Sequence, residues 1–91
     1  MEFAHTGHMI YHGDADHPLA KIRYKPAEDG VIIATSTVVD PSLRGQGIAR
    51  KLLDELAAYA RKHQLKIRPE CSYVVTAFKR YDAYEDVRLD E

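Results

Sequence analysis

The sequence contains a single cysteine, Cys71, and no tryptophan. One cysteine excludes an internal disulfide framework and a zinc site built from several cysteines. No apolar run approaches the roughly 18 residues that a membrane span needs, and the N-terminus carries no apolar signal segment. We therefore expect a non-membrane protein of the reducing cytoplasm, in which Cys71 is a free thiol.

The chain has 91 residues, which suffices for one domain, and we expect residues 1–91 to form it. Its net charge of -1 conceals an uneven distribution, because residues 44–68 hold seven basic side chains against two acidic ones. Acidic residues outnumber basic ones on both sides of this segment. The basic middle segment favours a small polyanion as a ligand, while the acidic flanks disfavour a long nucleic acid.

Hydrophobic periodicity predicts four strands and two helices. The strands fall at residues 8–12, 19–25, 31–39 and 65–69, and the helices at residues 48–63 and 72–81. The third strand, the first helix and the fourth strand form a crossover unit, so those two strands are expected to be parallel. The order β-β-β-α-β-α thus predicts an α/β protein with a mixed sheet against which the helices pack.

Two of these strands have distinctive faces. Residues 31–39 are uncharged and rich in β-branched side chains, which indicates a strand that is buried on both faces in the interior of a sheet. Residues 19–25 alternate instead, and their polar face consists of Lys21, Arg23 and Lys25. We expect this basic face to meet solvent, or alternatively to deter edge-to-edge association.

The segment most suggestive of chemistry is the loop before the first helix, Arg44-Gly45-Gln46-Gly47-Ile48-Ala49. The first turn of a helix has unpaired N–H groups and the positive end of the helix dipole. Glycine lets an anion approach the backbone closely, and Arg44 adds a full positive charge. A pyrophosphate suits this arrangement. The alternative is that the two glycines only permit a tight strand-to-helix turn.

The same six residues resemble a known motif. They match the pattern of the Gcn5-related N-acetyltransferases, which is arginine or glutamine, two residues, glycine, one residue, and glycine or alanine. The β-branched strand before the motif and the amphipathic helix after it resemble the same family. Within that superfamily the chain resembles the very short YjdJ-like branch, which lacks the N-terminal helices of larger members.

The resemblance implies the minimal acyl-CoA N-acyltransferase fold, with acetyl-coenzyme A as co-substrate and no metal. It implies that the pyrophosphate binds to the backbone of Arg44, Gly45, Gln46, Gly47, Ile48, Ala49 and Arg50. It further implies that the pantetheine arm pairs with the end of the central strand, at Thr37, Val38 and Val39, where the next strand splays away. Main-chain hydrogen bonds would hold the extended ligand there.

Cys71 follows the fourth strand and precedes the second helix. Ligands collect beyond the carboxyl ends of parallel strands, so Cys71 is expected beside the thioester. A thiol there, with its pKa lowered by a helix N-terminus, suggests transfer through an acyl-cysteine. The alternatives are an inert buried thiol and direct attack by the amine, for which Tyr73 is a candidate acid or simply a packing aromatic.

The sequence also departs from the branch pattern. Many members have a histidine where this chain has Ser36, and the glutamate base of larger acetyltransferases is missing from the strand. These departures make a coenzyme A sensor without turnover the main alternative to an N-acetyltransferase. The tail Tyr81-Asp82-Ala83-Tyr84 keeps an aromatic where the family commonly has a histidine-proline stretch followed by tyrosine, and the resemblance implies that Tyr84 packs near the cofactor.

The sequence disfavours a histidine metal site and nucleic-acid binding. His8 and His12 share a strand face, but they stand about 13 Å apart, too far to chelate one ion, so we expect solvated histidines on an edge strand. Nucleic-acid binding through the basic middle segment is disfavoured by the acidic flanks. The acceptor is expected to be an amine on a small molecule or a protein.

Overall fold

The computed structural model describes residues 1–89 as a five-stranded sheet with two helices. The strands are β1 (Ala4–His5), β2 (Met9–Gly13), β3 (Pro18–Pro26), β4 (Val31–Val39) and β5 (Lys66–Pro69). The helices are α1 (Ile48–Lys62) and α2 (Ser72–Arg80), and two single 3-10 turns cover Pro41–Leu43 and Asp82–Tyr84. Neither helix in residues 1–89 has the length and apolar character to cross a membrane.

The strands lie in the order β1-β2-β3-β4-β5. The first four pair antiparallel, whereas β4 and β5 pair parallel around α1, so the predicted mixed sheet and element order are confirmed. Strand β1 was not predicted, because it has two residues and makes its register only through Tyr11 and Ile10 of β2. A strand this short carries no detectable periodicity.

This order corrects two expectations about strand position. Strand β2, with His12, is not an edge strand, because β1 pairs with it on the outside. Strand β3 is the middle strand of the sheet, so the hypothesis that Lys21, Arg23 and Lys25 protect a sheet edge is wrong. Their side chains project from the face of the sheet, and both backbone edges of β3 are paired, with β2 and with β4.

One hydrophobic core joins the sheet to both helices. The buried residues of α1 are Ile48, Leu52, Leu53, Leu56, Ala57 and Ala60. They pack in one cluster with alternating residues of the sheet, including Ile22, and with Val74 and Phe78 of α2. In β4, burial on both faces holds only for Val31–Ala34, because the residues from Thr35 onward are partly exposed. The exposed half of β4 leads towards the loop before α1.

The segment after α2 is tied back to the fold. Arg61 binds both carboxylate oxygens of Asp86, with its Nε 2.7 Å from Oδ2. The backbone N–H of Ile67 in β5 donates to the carbonyl of Val87 over 2.7 Å. These contacts fix the path of the chain past α2, and that path places Tyr81 and Tyr84 next to α1.

Candidate active site

The loop between β4 and α1 is shaped by one carboxylate and two glycines. The Asp40 side chain accepts a hydrogen bond from the Ser42 N–H over 2.9 Å and so caps the first 3-10 turn. Gly45 and Gly47 have φ angles of 84° and 71°, which side-chain-bearing residues rarely adopt. A Cβ placed on either glycine would meet no atom within 4 Å. Both glycines therefore serve the turn, and both leave open space beside the backbone.

The backbone N–H groups of residues 45–50 donate no hydrogen bond to any residue that the structure describes. The first helical bond runs from the Lys51 N–H to the Gly47 carbonyl over 3.2 Å. Gly47 is the N-cap and offers no side chain to satisfy these donors, and the first turn has no acidic residue. A run of unpaired donors at the positive end of a helix has the geometry that suits an anion.

A cleft of about 370 Å³ opens over this run of donors. It brings together most of the residues that the sequence singled out, namely Val39, Arg44, Gly45, Gly47, Ile48, Ala49, Arg50 and Tyr73. Its remaining walls are Leu43 and Tyr81, which the sequence reasoning missed as site residues. The sequence places Tyr81 at the end of the predicted second helix, residues 72–81. The helix instead ends at Arg80, and Tyr81 becomes its extended C-cap.

Four predicted residues lie outside the lining of this cleft: Thr37, Val38, Gln46 and Cys71. Val38 is 51% exposed, because its cross-strand partner is Lys21 and its side chain follows the face of that lysine. Neighbouring Val39 pairs with buried Ala20 and therefore points to the cleft side.

Tyr84 lies behind the cleft lining, where its hydroxyl contacts Arg50. Its ring is 1% exposed and packs against Phe78, with ring centroids 5.5 Å apart. The 3-10 turn that starts at Asp82 directs it inwards under α1. Tyr81 takes the cleft position instead, and its ring lies 3.6 Å from the guanidinium carbon of Arg50. Sequence position alone could not distinguish the two tyrosines.

Strands β4 and β5 separate beside Cys71. Their pairing stops at Ala34 and Pro69, and the carbonyl of Ala34 accepts hydrogen bonds from the N–H groups of both Glu70 and Cys71, each over 3.0 Å. From Thr35 onward, β4 pairs with no strand of residues 1–89 other than β3. The edge of β4 that faces away from β3 is therefore open for main-chain hydrogen bonds. Alternate residues face it: the N–H and C=O groups of Thr37 and Val39 point to this edge, whereas those of Val38 point to β3, as the bond from the Asp40 N–H to the Leu19 carbonyl shows.

The Cys71 thiol faces this gap in a defined hydrogen-bonding environment. It is half-buried, it is the N-cap of α2, and its Sγ lies 3.4 Å from Thr37 Oγ1. Burial acts to raise the pKa of the Cys71 thiol, but the Thr37 hydroxyl and the nearby N–H groups of Val74 and Tyr73 stabilise the thiolate more, so the net pKa is lowered. A lowered pKa increases the share of nucleophilic thiolate.

Tyr73 follows in the first turn of α2 and lines the cleft. Burial, with a smaller contribution from Tyr81, raises the pKa of the Tyr73 hydroxyl. This hydroxyl therefore stays protonated at neutral pH, as a proton donor must. No aspartate, glutamate or histidine is among the lining residues of the cleft within the described chain.

The chain matches one family of known proteins. Residues 8–87 match the sequence profile of the family described as GCN5-related N-acetyl-transferase. This chain belongs to the GCN5-related N-acetyltransferase family. Membership makes it, in general terms, an N-acetyltransferase that uses an acyl-CoA as co-substrate.

Solved structures support the same assignment. The solution structure of a "GCN5-like putative N-acetyltransferase" from Staphylococcus aureus is 33% identical, with a TM-score of 0.84, over 99% of this chain and 89% of that chain. A "putative acyl-CoA N-acyltransferase" from Klebsiella pneumoniae shares the fold at 22% identity and a TM-score of 0.62, over 81% of this chain and 55% of that chain. No curated protein sequence matches the chain.

The acetyltransferase presents no arrangement of metal ligands in its described residues. No three side chains of the histidine, cysteine, aspartate or glutamate types converge anywhere in residues 1–89. The donors that the site does present are backbone N–H groups and arginines, which fit the phosphates of an acyl-CoA. The open space at Gly45 and Gly47 fits the close approach of those phosphates to the backbone.

Proposed function

We propose that this acetyltransferase binds acetyl-coenzyme A and moves the acetyl group to an amine on a small molecule or a protein. The observation that carries the proposal is the run of N–H groups over residues 45–50 that no described residue accepts from. Backbone N–H groups that lack a protein acceptor are satisfied when a bound anion accepts their hydrogen bonds, and glycine allows the anion to come close to them. The side chain of Arg44 adds attraction at the mouth of the cleft.

The pantetheine arm would lie along the open edge of β4. The arm would run past Thr37, Val38 and Val39. Main-chain hydrogen bonds would come from the alternate residues Thr37 and Val39, as in an added strand, because their N–H and C=O groups point away from β3. The side chains of the three residues are not needed for this role, which is consistent with Val38 being turned to solvent. A ligand that runs from the loop to this edge brings its thioester towards the gap where Cys71 lies.

Cys71 is the proposed acyl acceptor. Its thiolate attacks the carbonyl carbon of the bound thioester, a new C–S bond forms, and the bond to coenzyme A breaks. Tyr73 gives its hydroxyl proton to the departing thiolate. The amine then attacks acetyl-Cys71, the C–N bond forms, Cys71 leaves as thiolate, and the proton lost by the amine restores Tyr73. The lowered pKa of Cys71 and the raised pKa of Tyr73 support these opposite roles.

A sensor that binds the thioester without turnover is the second candidate. The observation in its favour is that the cleft, as described, has no carboxylate or imidazole to deprotonate an amine. The cysteine route needs no separate base to activate its nucleophile, so it accounts for the same observation. Assignment to the YjdJ-like branch and to the cytoplasm stays a prediction.

Intact mass spectrometry after incubation with acetyl-coenzyme A distinguishes the candidates. We expect one acetyl adduct on the wild type, no adduct on Cys71→Ala, and release of free coenzyme A when amines are added. Ser72→Ala, one residue away on the exposed surface, is the matched control and should keep the adduct. Tight binding without adduct or thiol release over a panel of amines would favour the sensor. Thiol release that persists in Cys71→Ala would favour direct attack by the amine.

A further inference from the structure

Arg50 is held by two aromatic residues from the segment after α2. Its guanidinium carbon lies 3.6 Å from the centroid of the Tyr81 ring, and its Nε donates a hydrogen bond to Tyr84 Oη over 3.4 Å. Stacking and one hydrogen bond fix both the plane and the rotation of the guanidinium. Its two terminal nitrogens donate no hydrogen bond to any of residues 1–89, and Arg50 lines the cleft.

The Tyr84 hydroxyl is itself oriented by the carboxylate of Asp54. It donates to Asp54 Oδ1 over 2.5 Å, so its hydrogen is directed at the carboxylate and its lone pairs remain for Arg50. Burial, together with the bond to Asp54, raises the pKa of Tyr84 to about 12. The Tyr84 hydroxyl therefore stays protonated throughout the physiological pH range. In this relay Arg50 donates to the Tyr84 hydroxyl, and that hydroxyl donates to Asp54.

We propose that Tyr84 is a positioning residue that, oriented by Asp54, presents the terminal nitrogens of Arg50 to a phosphate of the acyl-CoA. This inference rests on the proposed function, because it takes acyl-CoA as the ligand of the cleft. Tyr84 does not touch the ligand, since its ring is buried. It acts by holding Arg50 in the bound conformation before the ligand arrives, so the entropy of fixing a long side chain is not lost on binding.

A double-mutant cycle on acetyl-coenzyme A binding, measured by calorimetry, tests the inference. We expect Arg50→Ala to weaken binding about tenfold to a hundredfold, since it removes a charged donor. Tyr84→Phe, which keeps the ring in the core, should weaken binding by about fivefold. The two losses should not add, because Tyr84 acts through Arg50, so the double variant should match Arg50→Ala alone.

Tyr24→Phe is the matched control. Tyr24 is also a buried tyrosine, 4% exposed, and its hydroxyl donates to the carbonyl of Thr6 over 3.3 Å, away from the cleft. It should match Tyr84→Phe in thermal stability while binding acetyl-coenzyme A like the wild type. An unchanged affinity in Tyr84→Phe, or a loss that persists in the Arg50→Ala background, overturns the inference and leaves the proposed function standing.

Asp54→Ala gives a second test that does not depend on a core substitution, because Asp54 is exposed. If Asp54 acted only through its charge, deleting this carboxylate would tighten acetyl-coenzyme A binding, because it would remove electrostatic repulsion of the phosphates. The relay predicts the opposite, about a twofold to fivefold loss of affinity, because the Tyr84 hydroxyl loses its orientation. Unchanged or tighter binding overturns the inference. A wild type that binds no acetyl-coenzyme A overturns the proposed function and the inference together.

Discussion

Replacing Gly47 by alanine separates the two roles of the loop glycines. Gly47 has a φ of 71°, and a Cβ there would meet no atom within 4 Å, so the methyl group would enter the open space of the cleft. The left-handed conformation costs a side-chain-bearing residue about 1 kcal/mol. For a domain of this size that lowers the melting temperature by about 4–8 °C.

The same methyl group would hold a phosphate away from the surrounding N–H groups. A hydrogen bond to a charged group contributes about 1.5–3 kcal/mol. Losing one such bond weakens acetyl-coenzyme A binding by about tenfold or more. Calorimetry on the purified variant, beside a thermal melt, measures the affinity and the stability independently.

Gly30→Ala is the matched control. Gly30 has a φ of 76° and equally open surroundings, but it lies in the turn between β3 and β4 and not in the cleft lining. Both variants should lose the same stability, and only Gly47→Ala should lose affinity. If Gly47→Ala bound acetyl-coenzyme A as tightly as Gly30→Ala, the glycine would serve the turn alone and the phosphate assignment would fail.

Two other predictions concern charge and protonation. Arg44→Glu should weaken acetyl-coenzyme A binding strongly and make the affinity less dependent on salt. Lys51→Glu reverses a charge outside the cleft lining and should have little effect on the affinity. Equal losses of affinity in calorimetry would refute the phosphate role of Arg44. Because its pKa is lowered, Cys71 should be alkylated by iodoacetamide with a midpoint pH below that of an ordinary thiol, its rate rising as pH rises through that midpoint. Thr37→Val should move the midpoint to higher pH, since it removes the hydroxyl 3.4 Å from Sγ; an unmoved midpoint would show that Thr37 does not stabilise the thiolate.

The sequence was most informative where a periodic pattern is long. Strand β4 and helix α1 each carry a clear pattern, and the loop between them follows from their ends. The meeting of Thr37 with Cys71 was foreseeable for a topological reason, because the carboxyl ends of adjacent parallel strands lie at the same edge of a sheet.

Other features depend on contacts that no local pattern encodes. Strand β1 exists only because β2 is there to pair with it. The exchange of places between Tyr81 and Tyr84 depends on where α2 ends and on the turn that follows. Tyr84 lies 30 positions from Asp54 and 34 positions from Arg50 in the sequence, and only the tertiary structure brings its hydroxyl to both side chains.

The walls of the cleft come from segments that are remote along the chain, from Val39 to Tyr81. A molecule bound between them can only be held by the folded state, so binding and folding are thermodynamically linked. At a concentration one hundred times the dissociation constant, such a ligand adds about 2.7 kcal/mol to stability, a large share of the total for a small domain. Under the proposed function, the resistance of this protein to proteolysis would then rise with the concentration of acetyl-coenzyme A.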